Sequence, residues 1–170
     1  RSGEASGVTS GCCSARSGRR RSGRGRRRRM DGPEGALDVA TLETLGRRAA
    51  SHPLVLGWRL EPHAAPRMLV VDLDAGSYPP TVTEVRLDVR WFDSGDYAIH
   101  YVEHRGDEAW QCRWDRHAKP TAPRAHVHPP PDAGDAEPSP LDGSDPLAVW
   151  FAVLDWTRER VATCFESAED

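Results

Sequence analysis

The chain of 170 residues is long enough for one domain of ordinary size. Its formal net charge of −3 is the sum of a basic first part and an acidic second part. Residues 1–29 contain ten Arg and one acid, Glu4, which gives +9, whereas residues 30–170 contain thirteen Lys and Arg against twenty-five Asp and Glu, which gives −12. No apolar run approaches the roughly 20 residues that a membrane-spanning helix needs, so the sequence excludes a membrane protein and predicts no membrane partner.

Residues 1–29 are dominated by Gly, Ser and Arg. Such a segment buries too little apolar surface to fold, so we expect a disordered tail followed by a single domain over residues 30–170. Because the first methionine is Met30, the tail has two interpretations: sequence upstream of the true start, or a nucleic-acid-binding arm. It lacks the apolar core of a secretory signal.

The part after Met30 has a single lysine, Lys119, against twelve arginines and a large excess of acids. This composition is typical of proteins that stay soluble in concentrated salt, and it predicts a salt-accumulating source, an archaeon. The four cysteines form no CxxC pair, which argues against a disulfide framework and against structural zinc on cysteines. We therefore expect a reducing compartment, the cytoplasm.

The first predicted element is a short helix over residues 37–50, because Leu42, Leu45 and Ala49 recur at helical spacing. Strands are predicted over 54–60 and 68–73, separated by a turn-rich segment, and a third over 83–92, where apolar and polar residues alternate.

Residues 97–104 and 109–116 also alternate, with a short turn between them, which indicates a β-hairpin. A turn centred on Gly106 and Asp107 fixes the register of this hairpin. The predicted cross-strand pairs are Tyr101 with Cys112, Ile99 with Trp114 and His100 with Arg113.

The segment between the third predicted strand and this hairpin predicts how these two elements pair. A three-residue loop with Gly95 near the left-handed conformation keeps the apolar residues on one face and sets Trp91 beside Ile99. The opposite face then carries a row of Arg90, His100 and Arg113, with Arg86 beside His104. Like charges in such a row destabilise a sheet, so the pattern favours a bound phosphate among them.

Residues 117–144 are rich in proline and are predicted to form a long loop that carries His126 and His128. Asp145 and Pro146 then begin a last helix, as N-cap and first helical residue. The predicted fold class is therefore α+β: an antiparallel β-meander of about five strands with one face covered by an N-terminal and a C-terminal helix.

The open face combines imidazole and guanidinium groups, which suits proton-transfer chemistry on a phosphodiester. One imidazole can accept the proton of a ribose 2′-hydroxyl while a protonated one donates to the leaving oxygen, and arginine matches the charge that develops on phosphate. The expected catalytic residues are His117, His126 and His128, with Asp115 orienting a histidine. The expected substrate-binding residues are Arg113, Arg116, His100 and Arg90. This metal-independent cleavage of RNA needs no cofactor.

Two other interpretations stay open. His126 and His128 lie on one side of an extended segment, so they can share a metal with His117, His104 or Asp115, which would make the protein a metal-dependent hydrolase. The same face can alternatively bind RNA or a protein without any chemistry.

The order of these residues resembles the TumE-like toxins of toxin/antitoxin modules. The resemblance covers about residues 80–132 and rests on Ile99-His100-Tyr101, on Arg113-Trp114-Asp115-Arg116-His117 and on the loop that closes at His126-Val127-His128-Pro129. The family's usual loop is denser in histidine, and an asparagine stands where this chain has Arg116. The resemblance implies a small growth-inhibiting toxin, a ribonuclease, that is neutralised by a helix-turn-helix antitoxin.

Overall fold

The computed structural model describes residues 32–141 and 143–166, so the predicted tail at residues 1–29 lies outside the described residues. Helix α1, Val39–Ala49, begins where the Asp38 side chain accepts a hydrogen bond from the backbone N–H of Thr41 at 3.0 Å. Its apolar stripe is buried as the spacing predicts, with Leu42, Leu45 and Ala49 fully covered.

Seven strands follow one another in a single antiparallel meander in which each strand pairs with the next. Their bounds are β1 Val55–Glu61, β2 Met68–Leu73, β3 Glu84–Trp91, β4 Tyr97–Arg105, β5 Glu108–Arg116, β6 Ala125–His128 and β7 Glu137–Pro138. A single 3₁₀ turn, Ala75–Ser77, lies between β2 and β3. The predicted α+β class and meander are confirmed, with seven strands where about five were expected.

Helix α2, Pro146–Glu166, begins after Asp145, whose side chain accepts a hydrogen bond from the N–H of Ala148 at 2.9 Å. The ring of Trp156 meets Trp114 edge to face, with ring centroids 4.7 Å apart, on the apolar side of β5. Both helices therefore cover the same face of the sheet, and no helix in the part of the chain that the structure describes covers the opposite face, which carries Arg113 and Asp115 and is called the open face below. Across the described ranges, neither helix has the length and hydrophobicity that crossing a bilayer requires.

The predicted hairpin register is confirmed, since β4 and β5 pair Tyr101 with Cys112, Ile99 with Trp114 and His100 with Arg113. Gly106 in its turn has a φ of 60°, a conformation that glycine adopts at low cost.

The predicted register between β3 and β4 is wrong by one two-residue step, because Trp91 pairs with Tyr97 instead of lying beside Ile99. The Trp91 and Tyr97 rings stack, with centroids 4.8 Å apart, and the turn closes tightly through Gly95 at φ 75°. A two-residue step leaves every side chain on its face, so hydrophobic alternation could not separate the two registers.

The predicted loop at 117–144 is also partly wrong, because it contains β6 and β7. The four-residue strand β6 pairs with the end of β5, and β7 pairs with β6. The prolines on both sides concealed this strand from sequence patterns, although His126 and His128 alternate with Val127 as residues of a strand do.

Candidate active site

The pairing of β5 with β6 brings chain-distant polar residues onto the open face. Asp115 pairs with His126, and Arg113 pairs with His128 on one side and with His100 of β4 on the other. Residues opposite one another in a ladder project to the same face. His117 lies two residues after Asp115 and continues the alternation, held by a backbone hydrogen bond from its N–H to the Arg124 carbonyl at 2.9 Å.

These side chains form a cluster around one oxygen of Asp115, which we call the Asp115 cluster: Arg113, Asp115, His117, His126 and His128. The Nε atom of Arg113 donates to Asp115 Oδ2 at 2.9 Å. The Nε2 atoms of His128, His126 and His117 lie 3.4, 3.7 and 3.9 Å from the same oxygen. Asp115 is 3% exposed and His126 is 0% exposed, so the centre of the cluster is shielded from water.

The backbone orients all three imidazoles in the same way. Nδ1 lies within hydrogen-bond distance of a carbonyl oxygen in each ring: Ala118 O at 3.2 Å for His117, Pro123 O at 3.0 Å for His126 and Gly134 O at 2.6 Å for His128. A carbonyl accepts and does not donate, so Nδ1 carries the proton and the Nε2 lone pair of the neutral ring points at Asp115. Burial lowers the pKa of His126, against the opposing effect of the Asp115 carboxylate, and so favours the neutral ring.

A cavity of about 300 Å³ adjoins the cluster at Arg113. Its lining is Arg67, Met68, Asp88, Arg90, Ala98, His100 and Arg113. Ala98 pairs with Arg90 on one side and with Asp115 on the other, so its small side chain leaves open space between the arginine and the cluster. Asp88 is paired with Arg86 at 3.2 Å, whereas Arg67 and Arg90 form no ion pair within residues 32–141 and 143–166.

A comparison with known protein families matches residues 45–161 to the family described as Toxin TumE. The chain belongs to the TumE toxin family. As a family member it is the toxin of a toxin/antitoxin module, which implies a protein antitoxin as partner. Comparisons with curated proteins and with solved structures found no match.

In this TumE toxin, most of the sequence-predicted site residues come together. His117, His126, His128, Asp115 and Arg113 meet in the cluster, and Arg90 and His100 line the adjoining cavity. Burial lowers the pKa of His100, whose Nε2 lies 2.9 Å from Gln111 Oε1.

Three predicted placements are wrong. Arg116 projects to the opposite face from Asp115, where its Nη1 donates to the Gly95 carbonyl at 2.9 Å. Because of the register step, Arg90 faces Ala98 instead of His100. His104 likewise pairs with Glu84 instead of lying beside Arg86.

The register step also changes the electrostatics of the row, since Asp88 pairs with His100 and relieves the repulsion expected there. Sequence reasoning missed Arg67, which immediately precedes β2 after a turn-rich segment. No local pattern marks this residue, and only the packing of β2 beside β3 brings it to the cavity.

Proposed function

We propose that this TumE toxin is an endoribonuclease that cleaves RNA on the open face of its sheet. The observation that carries the proposal is the junction of an arginine-lined cavity with a buried carboxylate and three imidazoles. Arg113 belongs to both, since it lines the cavity and donates to Asp115. A phosphodiester held in the cavity would therefore lie next to groups able to move protons.

The cavity suits the charge of an RNA backbone. Arg67 and Arg90 are exposed and form no ion pair in the described part of the chain, so their charge is available to a phosphate. Arg113 keeps 37% of its side chain exposed while one edge of its guanidinium holds Asp115. Arginine offers phosphate a planar set of donors, and it remains protonated at any physiological pH.

Within the cluster, His117 and His128 are the groups proposed to exchange protons with substrate. Each keeps 8% of its side chain exposed, whereas His126 is wholly covered and would act through its neighbours. The backbone carbonyls of Ala118 and Gly134 would hold their rings through Nδ1, and Asp115 would stabilise whichever ring takes up a proton at Nε2. Positioned acid–base groups contribute about 10²–10⁴-fold to rate.

The test is cleavage of an end-labelled RNA by the purified full chain, assayed as purified and with divalent metal ions added. We expect cleavage by the unaltered protein, a loss of about 10²-fold or more in His128→Asn, and an unchanged rate in His104→Asn. His104 lies on β4 and is a matched control, since it projects to the open face outside the cluster.

Binding of RNA without cleavage by the unaltered protein would overturn the proposal in favour of a non-catalytic binding module. Equal cleavage by the His128 variant would remove the cluster from the reaction. The antitoxin is expected to be a helix-turn-helix protein, and the identity of the protein that co-purifies with the toxin tests this separately.

A further inference from the structure

The three imidazoles of the Asp115 cluster place hydrogen-bond acceptors close to another acceptor, which is electrostatically unfavourable. Their Nδ1 protons are directed to backbone carbonyls, so in the neutral form each ring turns an Nε2 lone pair toward a carboxylate oxygen, which also accepts and does not donate. The Nε2 atoms of His126 and His128 are buried without a hydrogen-bond partner among the described residues. Leaving buried polar atoms unsatisfied destabilises a fold, so the arrangement lacks a positive group between the rings and the carboxylate.

Protonation of the imidazoles would not give good hydrogen bonds to Asp115 at the observed distances. A charge-assisted N–H···O hydrogen bond is about 2.7–2.9 Å long, whereas the Nε2 atoms of His117 and His126 lie 3.9 and 3.7 Å from Asp115 Oδ2. Those separations are closer to the edge of a tetrahedron around a metal ion, which is about 3.3 Å for ligand bonds of about 2.0–2.1 Å. The ligand atoms of Asp115, His117 and His126 all lie within 4.8 Å of one another.

We propose that Asp115, His117 and His126 bind a divalent first-row transition metal ion of the zinc type. Two imidazole nitrogens and one carboxylate oxygen leave a fourth position open, which is the pattern of catalytic rather than structural zinc sites. Nitrogen ligands select against Mg²⁺ and Ca²⁺, which take oxygen ligands.

The surroundings of the three residues are those of a metal site. The backbone carbonyls of Ala118 and Pro123 accept from the Nδ1–H groups of His117 and His126 and orient the rings, as partners of ligating histidines do. Arg113 fixes Asp115 in the same manner at 2.9 Å. The Nε2 atom of His128 is also near the carboxylate oxygen, at 3.4 Å, but His128 is not among the residues whose ligand atoms all lie within 4.8 Å of one another. We therefore assign His128 to proton exchange with substrate and not to the metal.

A bound metal of this class would polarise a phosphate oxygen and lower the pKa of a bound water, and in its chemical role the inference rests on the proposed ribonuclease function. With the ion bound, His117 would be a ligand and would no longer exchange protons with substrate, and the metal would replace the metal-independent reaction expected from the sequence. Binding of the ion does not depend on cleavage and can be measured without RNA.

The binding test uses the full chain with Cys12→Ser and Cys13→Ser as background, so that thiolates outside the described residues do not contribute. After treatment with a chelator and dialysis, the protein is titrated with Co²⁺, followed by visible absorption, and with Zn²⁺, followed by calorimetry. We expect one ion per chain. Asp115→Asn and His117→Asn are each expected to weaken binding more than about 100-fold, while His100→Asn, on the same face outside the set, retains it.

Two readouts keep the test decisive if a variant fails to fold. Zinc is expected to raise the melting temperature of the unaltered chain. X-ray absorption at the zinc edge of that chain is expected to give two imidazoles and oxygen ligands at about 2.0–2.1 Å. A stoichiometry near zero, or equal binding in the His100, His117 and Asp115 variants, would overturn the inference.

The outcomes separate this inference from the proposed function. One zinc ion bound per chain without any RNA cleavage would leave the metal site standing and overturn the ribonuclease. Full-rate cleavage by protein that was treated with a chelator, and that binds no metal when titrated, would overturn the metal site alone.

Discussion

At the scale of single residues, Arg67 and Arg90 are expected to act on substrate binding and not on chemistry. Both line the cavity without an ion-pair partner in the described ranges, and neither belongs to the Asp115 cluster. Replacing both with glutamine would remove two phosphate contacts, so we expect KM for RNA to rise about tenfold or more, kcat to stay within about twofold, and the salt dependence of binding to become shallower.

Initial rates measured over a range of salt concentrations test this expectation. The matched control is Arg158→Gln on α2, whose side chain is 65% exposed on the helical side. An unchanged KM and salt dependence in the double variant would show that RNA does not use the cavity.

Glu103 is expected to control stability, because it is a fully buried charge with several partners. It accepts hydrogen bonds from Tyr101 Oη at 3.0 Å, from Arg105 Nε at 2.6 Å and from both Nε and Nη2 of Arg160 at 3.1 and 3.2 Å. Arg160 is itself 9% exposed and stacks over the Trp110 ring at 3.7 Å.

Glu103→Gln would leave the Arg160 guanidinium buried opposite a neutral amide, which we expect to cost about 3–5 kcal/mol in the free energy of unfolding. Glu43→Gln is the control, because Glu43 pairs with Arg47 in the open on α1, and its loss should cost less than about 1 kcal/mol. Urea unfolding of both variants measures the difference, and similar losses would refute this assignment.

At the scale of elements, Gly46 lets α1 approach the sheet closely. A Cβ atom added at this position would lie 2.5 Å from two ring atoms of Trp58 on β1. Alanine favours helix over glycine by about 1 kcal/mol, but this overlap would force the helix and the ring apart, so we expect Gly46→Ala to destabilise the fold by about 1–3 kcal/mol.

The denaturation midpoint in urea tests the Gly46 expectation. Gly57→Ala on β1 is its control, since nothing lies within 4 Å of the added Cβ. A more stable Gly46 variant would mean that α1 does not rest on Trp58 at this point.

Strands with a clear alternation of apolar and polar residues could be predicted from the sequence, and short strands without it could not. Alternation located β4 and β5 and fixed their register, because the short turn at Gly106 allows one pairing that keeps the apolar face intact. The β3–β4 register could not be predicted, since a step of two residues preserves both faces and the choice depends on the stacking of Trp91 on Tyr97. Strand β6 could not be predicted because its four residues lie among prolines and gain their stability from pairing with β5.

At the scale of the whole molecule, two helices cover one face of the meander, and the proposed site lies on the other face. Strand alternation predicted the common face of Arg113 and Asp115, whereas His126 and His128 were expected on a loop and their pairing with β5 was not predicted. The geometry of the cluster was not predicted. The Nε2 atoms converge on Asp115 Oδ2 because backbone carbonyls distant in the chain orient the rings. Packing of the strands brings Arg67 to the cavity and keeps Arg116 on the other face.

The central claim is that this open face cleaves RNA through a cavity and a cluster that share Arg113. Its most direct measurement is kcat/KM for RNA cleavage by the full chain carrying Arg113→Gln, beside Arg113→Lys and the helix-side control Arg158→Gln, each checked for unchanged folding by circular dichroism. We predict a loss of about 10²–10³-fold in Arg113→Gln, an intermediate loss in Arg113→Lys, and no loss in Arg158→Gln. A folded Arg113→Gln variant that cleaves RNA within about twofold of the unaltered protein would contradict the account.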